Sequence, residues 1–418
     1  MDAKTKKIEQ QFEKIIVEYI LPLFPGAEIA EKNEVKAPPK GQKHCSILQG
    51  NTFLAIRKEL SSFPIIIKRH QPFTGEDSGI VESFVAMICK FQKSEKIGIL
   101  YQDVIAKRCL EMSIFNTLSQ GYPKVLFYVT NILYYWQNRT YEGNKVALSI
   151  KIKNATLNCN DGKKLVEKEK LYEQDFFASI TNGISDCIEI DENLDIIGYE
   201  ELKKSSNVNA YAPIKFIDFC DSSRDSIILA LTRANEILCF SKGALKLAKR
   251  GNLWTLYQHD AAIKQLAGGK KNLIPIKIRT ALYQTALDVS FSKTGGLLAC
   301  IDKKKLSDAS VTEVFKDDDL RTSTKERNEV FKSIVANRKF QDLPRTLRAE
   351  LAAIDGSLII DTDGNVLAIG AIVKLNGGSS SGGRKAATLA LSHFGLAIKI
   401  SNDSYIEGYM DENLLCKI

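Results

Sequence analysis

The sequence predicts an α/β protein whose C-terminal part is a mixed-sheet α/β domain, preceded by a small β-rich module and an α/β N-terminal region. Three observations lead to this prediction. Helical and strand patterns alternate over residues 1–205, strand formers broken by Asn, Gly and Ser dominate residues 206–265, and the alternation returns over residues 266–418. A chain of 418 residues is long enough for two or three domains, and we take these segments as the expected domains.

The N-terminal region is expected to open with an amphipathic helix, because residues 1–24 place Ile8, Phe12, Ile15 and Tyr19 on one helical face. The apolar segment 95–104 favours a buried strand, and the alternating segments 140–155 and 186–202 favour further strands. None of these segments carries a catalytic signature. The region is therefore interpreted as regulatory or sensory.

In the β-rich module, the segment "YAPIKFIDF" at 211–219 and the runs that follow it predict a small meander. The C-terminal domain is expected to begin with a helix that ends near Gly295-Gly296 and leads into a buried strand. Two helices over 326–340 and 344–354 come next. A hairpin with Asp363-Gly364 in its turn, a further helix and a last strand complete the prediction.

Composition excludes several classes of protein. No apolar run approaches the length of a membrane span, and the charged N-terminus lacks the apolar core of a secretory signal. The nine cysteines are scattered without framework or zinc-ligand spacing, which favours a reducing compartment and a cytoplasmic location. The net charge of +8 suits an anionic partner, but no nucleic-acid-binding motif accompanies it, so nucleic acid is not the expected partner.

Three short motifs in the C-terminal domain could carry chemistry. Asp355-Gly356-Ser357 lies where a helix passes into a strand. Its carboxylate is an oxygen ligand suited to Mg²⁺ or Mn²⁺, and its glycine allows a close approach to the backbone. The simpler alternative is an ordinary Asp-Gly turn.

The second motif is the loop "NGGSSSGGRKAA", which leads into a helix. Gly382 and Gly383 would present backbone N–H groups to an anion, and Arg384 and Lys385 would add a forked cation and a point charge. A flexible linker is the alternative. The third motif, Ser401-Asn402-Asp403, follows a strand, at the position where sites of α/β proteins often lie.

Together these motifs resemble the diadenylate cyclase (DAC) family over residues of about 272–410. That family has Asp-Gly-Ala after a helix, a Gly-Thr-Arg-His-Arg loop that opens a helix, and a Ser-Glu-type pair after the next strand. The order and spacing of the three motifs agree with this arrangement. The whole-chain layout also resembles bacterial proteins that join an N-terminal sensor region to a divergent cyclase domain.

The resemblance implies an enzyme that condenses two ATP into cyclic di-AMP and two pyrophosphates, with Mg²⁺ or Mn²⁺ and two protomers face to face in a homo-oligomer. It implies that Asp355 holds the metal and orients the 3′-hydroxyl, and that Arg384 and the glycine amides of Gly382 and Gly383 hold phosphates. Gly356, Ser357, Lys385, Ser401 and Asp403 are the further nucleotide-binding residues that it implies.

The chain departs from the family pattern at two positions. Ala386 stands where the family has a second Arg, and Asn402 stands where an acid is common, although Asp403 follows it. The alternatives are therefore an active cyclase, an enzyme that makes a related cyclic dinucleotide, and a sensor module that binds a nucleotide without turnover. The sequence does not distinguish adenine from guanine.

Overall fold

The computed structural model describes residues 3–31, 34–35, 43–58, 64–92, 99–119, 121–153, 162–205, 210–268, 274–305, 319, 325–374, 382–403 and 405–418. The chain forms two compact units. The first unit contains Met1–Ala210 and Lys215–Tyr257, and the second contains Tyr211–Ile214 and Gln258–Ile418.

The first unit opens with the predicted amphipathic helix. Helix α1 (Ala3–Ile15) continues as a π-helical turn (Ile16–Ile20), and Phe12, Ile16 and Ile20 of this segment are at most 3% exposed. A small antiparallel sheet follows, with the strand order β1-β4-β3-β2. Its strands are β1 (Glu28–Ile29), β2 (Cys45–Ile47), β3 (Phe53–Ile56) and β4 (Ile65–Lys68).

Three long helices then replace one of the predicted strands. Residues 99–104 of the expected strand lie in a helix, and residues 95–98 lie outside the described residues. A short apolar run fits a strand and a helix equally well, and the residues that follow it, Ala106, Leu110 and Ile114, form a buried stripe at helical spacing. The helices are α2 (Gly75–Gln92), α3 (Ile99–Leu118) and α4 (Pro123–Gln137), followed by a short hairpin of β5 (Thr140–Tyr141) and β6 (Asn144–Lys145).

A seven-stranded sheet completes the first unit, with the order β13-β12-β11-β10-β7-β8-β9. The sequence placed residues 206–265 in a module of their own, but β10 pairs with β7 through Leu231 and Leu148 and so continues the N-terminal sheet. Pairing between strands that are distant in the chain cannot be read from the local sequence pattern. The strands are β7 (Leu148–Lys153), β8 (Asp186–Ile190), β9 (Ile196–Glu201), β10 (Ser226–Leu231), β11 (Ile237–Ser241), β12 (Ala244–Arg250) and β13 (Leu253–Leu256).

Two further helices belong to the first unit: α5 (Gly162–Leu171) and α6 (Ile217–Ser222). The sequence favours a strand over 211–219, but residues 214–219 of this segment lie in a 3₁₀ turn (Ile214–Phe216) and in helix α6. The buried residues Phe216, Phe219 and Cys220 show why, because their spacing of three and four positions faces one side of a helix.

The second unit is built on a six-stranded mixed sheet with the order β16-β15-β14-β17-β18-β19. Strands β14 and β15 run parallel, and every other neighbouring pair in this sheet is antiparallel. The coarse prediction of a mixed-sheet α/β domain is confirmed. The strands are β14 (Gly296–Ile301), β15 (Ser357–Asp361), β16 (Val366–Ala371), β17 (Gly395–Ile400), β18 (Ile406–Met410) and β19 (Asn413–Lys417).

Helices cover both faces of this sheet. On one face, Leu391 packs with Leu297, Ala299 and Ala397 in an apolar cluster. On the other face, a long helix is buried almost throughout, from Ile278 to Phe291. The helices of this unit are α7 (His259–Gln265), α8 (Ile276–Ser292), α9 (Glu326–Val335), α10 (Arg345–Ala353) and α11 (Gly383–Ser392).

A buried ion pair joins α8 to α10. Arg345 donates from Nε to Asp288 Oδ2 at 2.7 Å and from Nη2 to Asp288 Oδ1 at 2.8 Å, and both side chains are at most 3% exposed. Asp288 also accepts the backbone N–H of Ile214 at 2.7 Å. These bonds fix the start of α10, the helix that leads into the Asp355 turn. Across the described part of the chain, no helix is both long and apolar enough to cross a bilayer.

Candidate functional site

The described residues of the three sequence motifs lie along one edge of the six-stranded sheet. Strands β14 and β15 begin at this edge, and β16 and β17 end there, because Gly296 pairs with Ile400 and Ser357 pairs with Ala371. In chain order, the Asp355 turn comes directly before β15 and the Ser401 turn comes directly after β17. Helix α11 connects the end of β16 with the start of β17. The topology therefore brings the separate motifs to a common edge.

Asp355 occupies an exposed turn between α10 and β15. Its Oδ1 accepts the N–H of Gly356 at 3.1 Å, and among the described residues the carboxylate makes no ion pair. Gly356 has φ of 103°, and a Cβ at this position would lie 2.5 Å from the backbone carbon of Gly370. Only glycine fits this close approach of two backbones, so the turn places the carboxylate beyond the edge of the sheet.

The floor beside Asp355 consists of backbone. A Cβ on Gly295 would lie 2.2 Å from Asn402 Oδ1 and 2.6 Å from Arg384 Nη1, and a Cβ on Gly296 would lie 2.6 Å from the carbonyl oxygen of Ala352. Gly295 therefore allows two polar side chains to lie directly on the backbone before β14, and Gly296 allows the backbone of Ala352 to pack against the start of β14. The sequence identified this pair only as the end of a helix, and it missed this second role.

Arg384 lies in the first turn of α11 and is exposed. Its Nη1 donates to Asn402 Oδ1 at 3.3 Å and to the carbonyl oxygen of Ile400 at 3.5 Å, which are long bonds. The guanidinium forms no ion pair within the described part of the chain. The exposed Gly382 and Gly383 form the start of the same helix, where N–H groups favour an anion. Residues 375–381 of the Gly/Ser loop lie outside the described residues.

Lys385 points away from this edge. Its Nζ contacts the hydroxyl and, at 3.7 Å from the centroid, the ring of Tyr409, and it lies 3.6 Å from Glu407 Oε2. Glu407 also binds Lys399 and Lys417 at 3.1 and 3.4 Å. Lys385 is therefore part of a cation cluster around one carboxylate on the face of β18, and Arg384 is the cation of this helix start that faces the edge.

The remaining predicted residues differ in their position. Ser401 donates its N–H to the carbonyl oxygen of Tyr405 at 2.9 Å and closes the turn between β17 and β18, and Asp403 is exposed in that turn. Ser357 is 1% exposed, so its side chain is buried at the start of β15. Asn402, which the sequence noted only as a departure from the family pattern, is the residue that orients Arg384.

Asp319 is an acid near the edge that the sequence did not single out. Its Oδ2 accepts the N–H of Ile372, just past the end of β16, at 3.1 Å, and its Oδ1 binds Arg327 at 2.7 Å. No motif marks it, since it lies within a charged segment far from the three motifs in sequence. Both of its oxygens have partners, so it fixes the chain beside the Asp355 turn.

The described residues contain no group of three His, Cys, Asp or Glu side chains that could enclose a metal ion. An ion held entirely by protein side chains is therefore not supported in this part of the chain. Asp355 instead fits the way in which Mg²⁺ binds beside nucleotides, through one or two carboxylates together with phosphate oxygens and water.

This arrangement can bind and orient a phosphorylated ligand. Asp355 precedes β15 and Arg384 lies against the end of β17, with β14 between these strands, so about two strand spacings, or about 10 Å, separate the two strand ends. A carboxylate and a guanidinium would thus flank a glycine floor and a helix start.

No protein-family model matches this chain, and no curated protein matches it.

Proposed function

We propose that the second unit is a nucleotidyltransferase of the diadenylate cyclase type, which condenses two ATP into cyclic di-AMP or a related cyclic dinucleotide. One observation carries the proposal. The motifs that resemble this family are separate in sequence, yet they meet at one sheet edge around the Gly295-Gly296 floor. A chance resemblance of short motifs gives no reason for this convergence.

The reaction needs two matched bond exchanges. Each 3′-hydroxyl attacks the α-phosphorus of the other ATP, a new phosphodiester bond forms, and the bond from that α-phosphorus to the β-phosphate oxygen breaks. Two pyrophosphates leave, and each hydroxyl proton passes to solvent or a nearby base. Positioning and charge stabilisation account for most of the catalysis in reactions of this kind.

In this proposal the cationic groups and the acidic side chain of the site have different roles. Arg384 and the N–H groups at the start of α11 would hold phosphate oxygens and stabilise the negative charge that develops on them. Asp355 would orient the attacking hydroxyl, and with phosphate oxygens it would hold Mg²⁺ or Mn²⁺. A divalent cation supplies charge neutralisation of the phosphates when it is bound.

The face-to-face homo-oligomer is part of the proposal, because closing the ring takes two nucleotides and the resemblance gives each protomer one. A protomer would supply one Asp355 and one Arg384. The N-terminal unit would act as the regulatory part of the protein.

A nucleotide-binding sensor without turnover is the second candidate. The observation that favours it is the position of Lys385, whose ammonium lies on the face of β18. Ala386 stands in place of the second family Arg. At the start of α11, Arg384 is therefore the cation that faces the edge of the sheet. A single guanidinium can hold a phosphate, but it gives weaker stabilisation of the transition state than two.

The experiment that tests the proposal is incubation of the full chain with each of the four NTPs and Mg²⁺ or Mn²⁺, with products identified by mass spectrometry. Asp355→Asn is expected to reduce product by about a hundredfold or more while ATP binding remains, and Arg384→Gln is expected to lower both product and binding. Asp363→Asn is the matched control, because Asp363 is also an exposed turn aspartate but lies beyond the opposite end of β15.

The outcomes separate the two candidates. A cyclic dinucleotide that vanishes in Asp355→Asn and persists in Asp363→Asn supports the cyclase and identifies its base. ATP binding without product from the wild-type chain supports the sensor. Neither binding nor product would exclude both.

A further inference from the structure

The first unit contains a lysine that is almost completely buried. Lys249 lies on β12 and is 3% exposed. In the part of the chain that the structure describes, its ammonium makes neither a hydrogen bond nor an ion pair. Its close contact is the ring of Tyr134 on α4, with Nζ 3.9 Å from the ring centroid. A buried ammonium that forms no hydrogen bond or ion pair is costly, so it calls for a functional explanation.

Two more cations gather at the same place. Lys107 on α3 is exposed, and its Nζ lies 5.6 Å from the centroid of the same Tyr134 ring. The next residue, Arg108, is partly exposed and packs its guanidinium over Phe127 at 5.1 Å. One helix, α3, thus brings two cations to the tyrosine that covers Lys249.

A single buried carboxylate balances this cluster. Glu111 is fully buried, and its Oε2 accepts from Arg108 at 3.1 Å. Its Oε1 accepts the Tyr134 hydroxyl and, at 3.4 Å, the Trp254 indole N–H. Three cationic side chains against one carboxylate leave an excess of two positive charges.

A further acid, Glu169, reduces this excess only in part. Glu169 approaches Arg108 and bonds to Asn131, and burial together with the neighbouring Glu173 raises the pKa of Glu169 to about 7. At neutral pH it is therefore only partly ionised. The positive field is felt at Lys249, because burial and the charge of Lys107 lower the pKa of Lys249 to about 8.

We propose that Lys107, Arg108 and Lys249 form a binding site for a phosphate-class dianion, either free phosphate or the phosphoryl group of a small metabolite. The charge excess matches a dianion. The forked guanidinium of Arg108 suits two oxygens of a phosphoryl group, and the two ammonium groups suit the others. The site lies within the first unit and does not depend on the nucleotidyltransferase proposal.

The test is titration of the full chain with inorganic phosphate by calorimetry, in the Arg384→Gln background so that phosphate at the sheet edge is not counted. Lys249→Met is expected to weaken phosphate binding by about tenfold or more. Lys246→Met, on the same strand but outside the cluster, is the matched control and is expected to leave the affinity unchanged.

Thermal unfolding supplies a second readout that a purely structural lysine would not give. In the same Arg384→Gln background, Lys249→Met removes a buried charge that forms no ion pair with a described residue, so the Tm without phosphate is expected to rise above that of the background protein. The rise in Tm that phosphate causes in the background protein is expected to disappear when Lys249→Met is added. A structural lysine would instead give a lower Tm and leave the effect of phosphate intact.

Lys107→Gln keeps the proposal testable if Lys249→Met does not fold. Because Lys107 is exposed, its substitution is expected to leave the fold intact and to weaken phosphate binding by about tenfold.

Titration with ribose 5-phosphate distinguishes free phosphate from the phosphoryl group of a small metabolite. Tighter binding of the ester than of phosphate indicates a metabolite, and tighter binding of phosphate indicates the free ion. No saturable binding at millimolar concentrations, or equal affinity in wild type, Lys107→Gln and Lys249→Met, overturns the proposal.

Discussion

Gly295→Ala is expected to impair the candidate site far more than the fold. The added methyl group would lie 2.2 Å from Asn402 Oδ1 and 2.6 Å from Arg384 Nη1, closer than atoms can approach without bonding. Both atoms are at the ends of exposed side chains, which can swing away at little cost to the folded state. The guanidinium would then leave the position from which it is proposed to bind phosphate.

Two free energies are expected to change for different reasons. Gly295 has φ of 70°, and alanine in this left-handed region costs about 1–2 kcal/mol of folding free energy. Loss of a charged hydrogen bond to phosphate costs about 1.5–3 kcal/mol of binding free energy. That loss corresponds to a fall of about 10- to 100-fold in nucleotide affinity.

Gly143→Ala separates the two effects. Gly143 has φ of 77°, and a Cβ there would meet no atom within 4 Å, so the substitution introduces backbone strain without displacing a side chain. Urea denaturation is expected to show similar destabilisation in both variants, while calorimetry with a non-hydrolysable ATP analogue is expected to show weaker binding in Gly295→Ala alone. Wild-type affinity in a destabilised Gly295→Ala would refute the assignment of Arg384 to the nucleotide.

Three further predictions concern stability, pH and specificity. Asp288→Ala removes the carboxylate that neutralises the buried Arg345 guanidinium and is expected to cost about 3–5 kcal/mol of unfolding free energy, measured by urea denaturation; a loss below about 1 kcal/mol would contradict the ion pair. Burial raises the pKa of Glu169 to about 7 from its ordinary 4.5, so its contribution to stability is present at low pH and is lost as the pH rises through about 7. Glu169→Gln is therefore expected to flatten the fall in unfolding free energy between about pH 4.5 and pH 7, and an unchanged slope would rule out this source. Lys385→Met is expected to change ATP affinity less than about threefold, whereas Arg384→Met lowers it about tenfold or more; equal effects would place both cations on the nucleotide.

The second unit could be predicted well as far as β17, because its local patterns agree with its long-range contacts, but β18 and β19 were missed. Helix α8 begins and ends close to its predicted bounds, and Asp363-Gly364 marks the turn between β15 and β16 as expected. The sequence could not show that Gly295 supports Arg384, because that contact joins residues distant in the chain.

The first unit was predicted less well for two physical reasons. Short apolar segments such as 99–104 and 211–219 satisfy both strand and helix patterns, and buried neighbours elsewhere in the chain decide between them. The sheet is also assembled from distant pairs, such as Leu148 with Leu231. Lys249 illustrates the same limit, since its neighbours come from α3 and α4, more than a hundred residues earlier.

The central position of β14 has a consequence for synthesis of the protein. Its two neighbours in the sheet are β15 and β17, which end only at Asp361 and Ile400, so one edge of this apolar strand has no partner until β15 is made and the other has none until β17 is made. The sheet of the first unit is complete at Leu256, on the order of ten seconds before β17 at ordinary rates of translation. The nascent chain would therefore carry a finished first unit beside an unpaired strand, and this interval is when chaperones would most affect the yield of folded protein.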